Sequence, residues 1–305
     1  MEPVTYDPYP WYPPEGWSPI SNLPDELILG IFSYLKLSSL ARSCQVSKEW
    51  KRLASDQSLW KHTFYREIAF GTDKWIKCFG EDVVKNEDIK EEFESLSICM
   101  DEFKKFKLAF PDKNTKKSLM LVRLPKSLNG QISLKSLGNL AQRYFNSKKG
   151  YARWLKIFNT IEMNTIDRSG WRLMTTECLK VCECPKVLCF GDCNRVLGEN
   201  FVEQQKRVAD LAKKGLLGYE IPTALEAATC ILAQYFDSHS RYPLCKDDTK
   251  YLFSDTWIRC QDTIGNLQIQ VGYFKCSAGL DISGDSPHRR HINTGVAACF
   301  KVMGV

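Results

Sequence analysis

The sequence predicts a mixed α+β protein with a small helical module at the N-terminus and a larger C-terminal domain. Three observations support this class. Residues 20–64 carry apolar side chains at helical spacing. Residues 65–117 are charged and helical in pattern. From residue 118 onward, alternation typical of strands mixes with helical segments, and we find no repeat of fixed period.

Composition favours a folded protein of two domains. The chain has 305 residues, 44% of them hydrophobic, which is enough to bury a sizeable core. It has no apolar run long enough for a membrane span, and its start, Met1-Glu2-Pro3, lacks the pattern of a secretory leader. Thirteen cysteines without small-domain spacing favour reduced thiols and a cytoplasmic location. The net charge of +6 lies in scattered lysine pairs, so no nucleic-acid surface is expected.

Residues 1–19 are interpreted as a tail. The segment is rich in Pro, Tyr and Trp. Because proline fixes φ and lacks an N–H donor, such a segment cannot form a regular helix or a central strand. We expect it to be passive.

The first predicted helix begins near Pro24, which suits the first turn of a helix. Asn22 can cap its N-terminus, and Asp25 and Glu26 place negative charge at its positive end. The apolar arc is wider than one small core usually needs, so part of it is expected to face a partner. Its members are Leu27, Ile28, Ile31, Phe32, Tyr34 and Leu35.

Two further short helices are predicted in this module. Leu40 and Cys44 supply the buried face of the second, and Val46, Trp50 and Leu53 supply that of the third. A module of about forty residues is only marginally stable alone. The alternative is an ordinary helical subdomain that packs its excess apolar face on the rest of the chain.

Three short sequences stand in order in this module: Leu-Pro-Asp-Glu-Leu at 23–27, Val-Ser-Lys-Glu-Trp at 46–50 and Leu-Ala-Ser-Asp-Gln-Ser-Leu-Trp at 53–60. With them, residues 20–64 resemble the F-box family, most of all receptors that carry leucine-rich repeats after the box. Ser47 stands where many members have cysteine, a near-isosteric difference. The resemblance implies a substrate receptor that binds a Skp1-like adaptor and, through it, a cullin ubiquitin ligase.

The resemblance also implies roles for individual residues. Those that match the adaptor-contact segment are Leu23, Pro24, Leu27, Ile28, Ile31 and Phe32. Those expected to hold the core of the module together are Leu35, Leu40, Val46, Trp50, Leu53 and Trp60.

Residues 65–117 are interpreted as a helical linker between the module and the domain that follows. A helix is predicted from Asp88 to Phe110, and Pro111 ends it. The alternative interpretation is a core helix of the following domain.

The C-terminal domain, residues 118–305, is predicted to be a single α+β domain that binds a protein target. Strands are predicted at 118–124, 266–274, 279–282 and 295–302, and helices at 134–145, 203–214 and 223–236. Segments such as Gly170-Trp171, Tyr219-Glu-Ile-Pro-Thr223 and Trp257-Ile-Arg-Cys-Gln261 resemble a module of F-box and leucine-rich proteins from bacteria that live inside protozoa. This resemblance implies a bacterial effector acting in the host cytosol, and it implies no activity.

The alternative function is an F-box-recruited enzyme with zinc- or cysteine-dependent chemistry. Five cysteines at spacings close to those of zinc sites are the candidates: Cys178, Cys182, Cys184, Cys189 and Cys193. Interleaved apolar residues such as Val187 and Phe190 favour a buried strand in which cysteine is a small hydrophobe. The chain has four histidines and no local Cys–His signature, so we expect no catalysis and no cofactor.

A basic sequence near the C-terminus is the predicted target-facing surface. Two arginines between two histidines, residues 288–291, can grip a phosphate or an acidic substrate. A solvated loop between strands is the alternative. The residues assigned to the substrate surface are Trp257, Arg259, Tyr273, Arg289 and Arg290.

Overall fold

The computed structural model describes residues 23–81, 89–125, 132–141, 170–176, 199–241, 256–275, 279–291 and 293–303. The chain divides into two compact units, Met1–Thr63 and Phe64–Val305. Helices and strands both contribute, so the predicted α+β class is confirmed. In the described parts, no helix combines the length and the apolar character that crossing a membrane requires.

The first unit is a small helical module. Its helices are α1 (Asp25–Ser33), α2 (Leu37–Ser43), α3 (Lys48–Ala54) and the beginning of α4 (Gln57–Ile68), which continues into the second unit. The Trp50 ring packs edge-on against the Phe32 ring, with 5.2 Å between centroids, and the Trp60 indole N–H donates to the Ala54 carbonyl at 2.7 Å. The buried core consists of Ile28, Phe32, Leu40, Leu53, Ala54 and Leu59.

A side-chain cap fixes where α3 begins. The Ser47 hydroxyl accepts a hydrogen bond from the Trp50 backbone N–H at 3.1 Å, so α3 starts at Lys48. Val46 therefore lies in the preceding turn with 63% of its surface exposed. Its assignment to the core is wrong, because the third helix begins later than the apolar spacing predicts.

The second unit contains six further α-helices, one 3-10 helix (Ala212–Lys214) and nine short strands among its described residues. The helices are α5 (Thr72–Phe79), α6 (Ile89–Ala109), α7 (Thr115–Ser118), α8 (Leu134–Ala141), α9 (Phe201–Ala209) and α10 (Ala224–Arg241). The strands are β1 (Ala69–Phe70), β2 (Leu119–Leu124), β3 (Gly170–Thr175), β4 (Tyr219–Glu220), β5 (Trp257–Ile264), β6 (Leu267–Lys275), β7 (Gly279–Asp285), β8 (Thr294–Gly295) and β9 (Cys299–Met303).

These strands form two sheets. The first has the order β1-β2-β3-β9-β4, and the second has the order β7-β6-β5-β8. Neighbouring strands are antiparallel except for β1 with β2 and β5 with β8. The helix α10 contacts strands of both sheets, and its small apolar residues are buried as the sequence predicts. They include Ala224, Ala227, Ala228, Ile231 and Leu232.

One predicted strand, 295–302, is in fact two. The chain leaves the second sheet after β8 and enters the first at β9. Val296, Ala297 and Ala298 make the crossing and are fully buried. Continuous burial gives this segment the apolar pattern of one long strand, although its hydrogen-bonding partners change midway.

Residues 65–117 are part of the second unit and not a separate linker. Strand β1 pairs with β2, and the Trp75 indole N–H donates to the Arg123 carbonyl at 2.8 Å. The Trp171 indole N–H on β3 donates to the Glu92 carbonyl on α6 at 3.1 Å. The linker interpretation is therefore wrong, and the alternative of a core helix fits. Most charged residues of α6 whose burial is described are exposed, which gives the helix the pattern of a linker, although Glu92 and Glu102 are buried.

Gly272 of β6 lies between β5 and β7 at a position with no room for a side chain. Gly272 has φ of +154°, and an added Cβ would lie 2.2 Å from the Thr256 carbonyl oxygen. We expect Gly272→Ala to reduce the free energy of unfolding by about 2 kcal/mol or more. Gly265 has φ of +58° and open space around it, so Gly265→Ala should cost only about 1 kcal/mol. Urea denaturation compares the two variants, and equal losses would contradict the steric explanation.

Candidate functional site

Helix α1 presents an apolar surface that the first unit does not cover. Leu27, Ile31 and Tyr34 are 55%, 48% and 85% exposed. Their spacing of four and then three residues places them on one side of the helix. We call these three residues the α1 surface. The opposite side carries Ile28 and Phe32, which are buried in the core of the module.

The six residues assigned to adaptor contact therefore divide between surface and core. Pro24 is exposed, and its carbonyl accepts hydrogen bonds from the backbone N–H groups of Leu27 and Ile28 at 3.0 and 3.2 Å. Leu23 is partly buried against the core. Ile28 and Phe32 are corrected from contact residues to core residues, because their positions on the helix direct them inward.

The residues assigned to the core lie mostly inside the module. Leu40 and Leu53 are buried, and Leu35, Trp50 and Trp60 pack against that core from its edge. Tyr34, outside the assigned contact set, is the residue directly after α1 and the most exposed of the three residues of the α1 surface. The position of Tyr34 at the end of the predicted apolar arc is the sequence feature that could have identified it as a contact residue.

An ion pair joins the start of α1 to α3. The Arg52 guanidinium contacts the carboxylates of Asp25 at 2.6 Å and Glu49 at 2.5 Å. Hydrogen bonds to Glu49 and Asp25 raise the pKa of Arg52 above its ordinary value. All three side chains are exposed, so the interaction orients α1 more than it stabilises the fold.

Comparison with known proteins identifies this module. The sequence profile of the F-box-like family matches residues 20–66. The chain carries an F-box-like domain. Over 45 residues it is 51% identical to F-box/LRR-repeat protein 5 of Mus musculus, and over 47 residues it is 49% identical to that of Xenopus laevis. An F-box protein of Arabidopsis thaliana is 42% identical over 45 residues.

These similarities confirm the resemblance to the F-box family predicted from the sequence, and they are local. Each alignment covers 15% of this chain. The chain spans 6% of the mouse protein, 7% of the Xenopus laevis protein and 17% of the Arabidopsis thaliana protein. No solved structure matches the chain.

The residues assigned to the substrate surface lie in three different environments of the second unit. Trp257 and Tyr273 stack at 5.8 Å between ring centroids and are partly exposed. Arg289 and Arg290 are exposed. Arg259 is fully buried and donates to the carbonyls of Glu199 and Arg289, so its assignment to the surface is wrong. Strand alternation turns it toward the segments that cover this face of the sheet.

Sequence reasoning missed a surface pocket of about 320 Å³ in the second unit. Its buried wall is apolar, and amide and carboxylate side chains lie at its rim. The lining residues are Phe201, Gln205, Val208, Ala209, Tyr219, Glu220, Ile221 and Gln261. They come from α9, from β4 and the residue after it, and from β5, and no local spacing in the sequence predicts that these segments meet.

Burial disfavours the thiolate form of five of the six described cysteines. All six are free thiols, and burial raises the pKa of Cys78 to about 11 and the pKa values of Cys230, Cys260 and Cys299 above their ordinary range. A thiol with a raised pKa is a poor nucleophile at neutral pH. Within the described ranges, no group of three metal-ligating side chains comes together. The five candidate zinc ligands at 178–193 lie outside those ranges.

Proposed function

We propose that this protein is a substrate receptor of a Skp1–cullin–F-box ubiquitin ligase. In this proposal the F-box-like domain binds a Skp1-like adaptor, and the second unit binds a protein target. The observation that carries the proposal is the F-box-like match at residues 20–66 together with the exposed α1 surface in the same segment.

The chemistry of the α1 surface suits a helical protein partner. Burying a large apolar side chain contributes about 1.5–3 kcal/mol. Leu27, Ile31 and Tyr34 lie in one line on a helix, which is how apolar anchors enter a groove between partner helices. A few such anchors carry most of the binding energy in an interface.

In the same proposal the protein itself transfers no ubiquitin. It raises the effective concentration of the target near the charged conjugating enzyme. The raised pKa values of buried thiols such as Cys78 and Cys230 support this proposal, because such thiols are poor nucleophiles. We further propose that it acts in the cytoplasm, as the reduced cysteines indicate, and that it is a bacterial effector in a host cell, as the C-terminal resemblance implies.

Proximity labelling in cells tests the proposed function. We expect the wild-type protein to label a Skp1-like adaptor, a cullin and the target. The Leu27→Asp, Ile31→Asp variant should label the target alone, because its second unit is unchanged. Adaptor labelling that is equal for the two proteins would contradict the proposal, and so would the absence of the adaptor from both.

A further inference from the structure

A short basic loop stands out on the second unit. Residues 286–291 follow β7 and carry His288, Arg289, Arg290 and His291, all exposed. We call this segment the basic loop. Its histidines and arginines present N–H donors on the surface of the unit, and none of them belongs to the F-box-like domain.

The basic loop is held in one conformation by the elements beneath it. The Phe201 backbone N–H, at the start of α9, donates to the Pro287 carbonyl at 2.9 Å. The buried Arg259 guanidinium donates to the Arg289 carbonyl at 2.5 Å. The Thr294 N–H donates to the His291 carbonyl at 3.2 Å. A loop fixed at three points loses little conformational entropy when it binds a partner.

Acidic side chains orient the two exposed arginines without using all their donors. Arg289 Nη1 lies 3.4 Å from Asp285 Oδ1, and Arg290 pairs with Glu203. A guanidinium has five N–H donors in a planar fork, so each arginine keeps donors for a second anionic group. The carboxylates therefore aim the arginines as well as neutralising part of their charge.

The buried arginine beneath the loop leaves the region with excess positive charge. Fully buried arginines are rare unless they are ion-paired. The hydrogen bonds of Arg259 go to two backbone carbonyls, and within the described residues no carboxylate lies within ion-pair distance of it. The Asp285 carboxylate attracts Arg259 from beyond that distance. With the nearby pair of Glu199 and Arg207 included, four arginines face three carboxylates around the basic loop, so the region keeps a net positive charge.

We propose that the basic loop binds an acidic segment of a protein, with Arg289 and Arg290 donating to its carboxylate or phosphate oxygens. This inference rests on the proposed function only in taking that protein to be the ligase target. A nucleic acid fits less well, because its binding surfaces gather many cationic groups along one face and this patch includes two carboxylates.

Fluorescence anisotropy of the full-length protein with labelled short peptides tests the proposal. One peptide is rich in Asp and Glu, a second carries phosphoserines at the same positions, and a third carries the corresponding amides. We expect the acidic peptide, the phosphopeptide or both to bind, and the amide peptide not to bind. Arg289→Gln with Arg290→Gln should weaken that binding at least about tenfold.

A matched control removes the same charge elsewhere. Lys104 and Lys213 are exposed, and each pairs with an aspartate three residues before it, so Lys104→Gln with Lys213→Gln breaks the same number of surface ion pairs. This variant should keep its affinity within about twofold. Equal weakening by both variants, binding of the amide peptide, or tighter arginine-dependent binding of a single-stranded oligonucleotide would each overturn the proposal.

The experiments distinguish a failure of the proposed function from a failure of the basic-loop proposal. Leu27→Asp with Ile31→Asp removes adaptor capture in the proposed function and should leave peptide binding unchanged. Thermal melting of each variant shows that it is folded before its affinity is compared.

Discussion

Leu27→Asp combined with Ile31→Asp is expected to abolish binding of a Skp1-like adaptor while the protein stays folded. Both side chains are about half exposed, so their replacement leaves the core of the first unit intact. Loss of two apolar anchors removes about 3–6 kcal/mol of binding free energy, and burying two carboxylates costs more. The affinity measured by isothermal titration should therefore fall by at least about a thousandfold.

Val46→Asp is the matched control for this experiment. Val46 is 63% exposed in the same module but lies in the turn between α2 and α3 and not on α1. The variant introduces the same kind of charge on the same unit, and we expect adaptor affinity to stay within about threefold. If the α1 variant bound as tightly as wild type, or if Val46→Asp lost as much affinity, the α1 surface would not be the contact.

The second large expected effect concerns the stability of the C-terminal unit. Arg172 on β3 and Glu226 on α10 are both buried, with 2.6 Å between Nε and Oε1. Lys301 on β9 lies 3.3 Å from the other carboxylate oxygen. Glu226→Gln removes the carboxylate charge that faces the buried guanidinium and should lower the free energy of unfolding by about 3–5 kcal/mol.

Glu220→Gln is the matched control for the buried pair. Glu220 contacts the same lysine at 3.3 Å, but its side chain is 49% exposed. Loss of an exposed pair should cost about 1 kcal/mol or less. Chemical denaturation of the two variants measures the difference. Equal losses would mean that burial of the ion pair contributes nothing.

The same carboxylate makes stability depend on pH. Burial alone would raise the pKa of Glu226, but the charges of Arg172 and Lys301 hold it below its ordinary value. A carboxyl whose folded pKa is lowered stabilises the fold above its unfolded pKa, and that stability is lost as the pH falls through the folded value. The stability difference between wild type and Glu226→Gln should therefore shrink on acidification. If the stability difference stayed constant as the pH fell through the folded pKa of Glu226, this assignment would be contradicted.

Local signals explain why the first unit was largely predictable. Proline at the start of α1, the Ser47 cap before α3 and apolar residues at helical spacing all act within a few residues of one another. The incorrect predictions in the first unit concern only where a helix begins and which side of a helix a residue lies on. The apolar spacing predicts Val46 in a helix that begins two residues later, and the family resemblance predicts Ile28 and Phe32, which are buried, as contact residues.

Contacts between distant segments explain why much of the second unit was not predictable. The chain changes sheets between β8 and β9 within one apolar run. Helix α6 packs on β3 although its many charged residues favour the interpretation of a linker. Arg259 was assigned to the surface because arginine usually lies there, although its partners come from residues 199 and 289. The pocket beside α9 is likewise lined by segments that are far apart in the sequence, so no local pattern predicts it.

The most direct test of the proposed function is reconstitution with purified components. The full-length protein is mixed with a Skp1-like adaptor and a cullin N-terminal domain, and the mixture is separated by size-exclusion chromatography. The proposal predicts one peak that contains all three proteins, and loss of this protein from that peak when Leu27 and Ile31 are replaced by aspartate. Elution of the folded wild-type protein apart from the adaptor–cullin complex would contradict it.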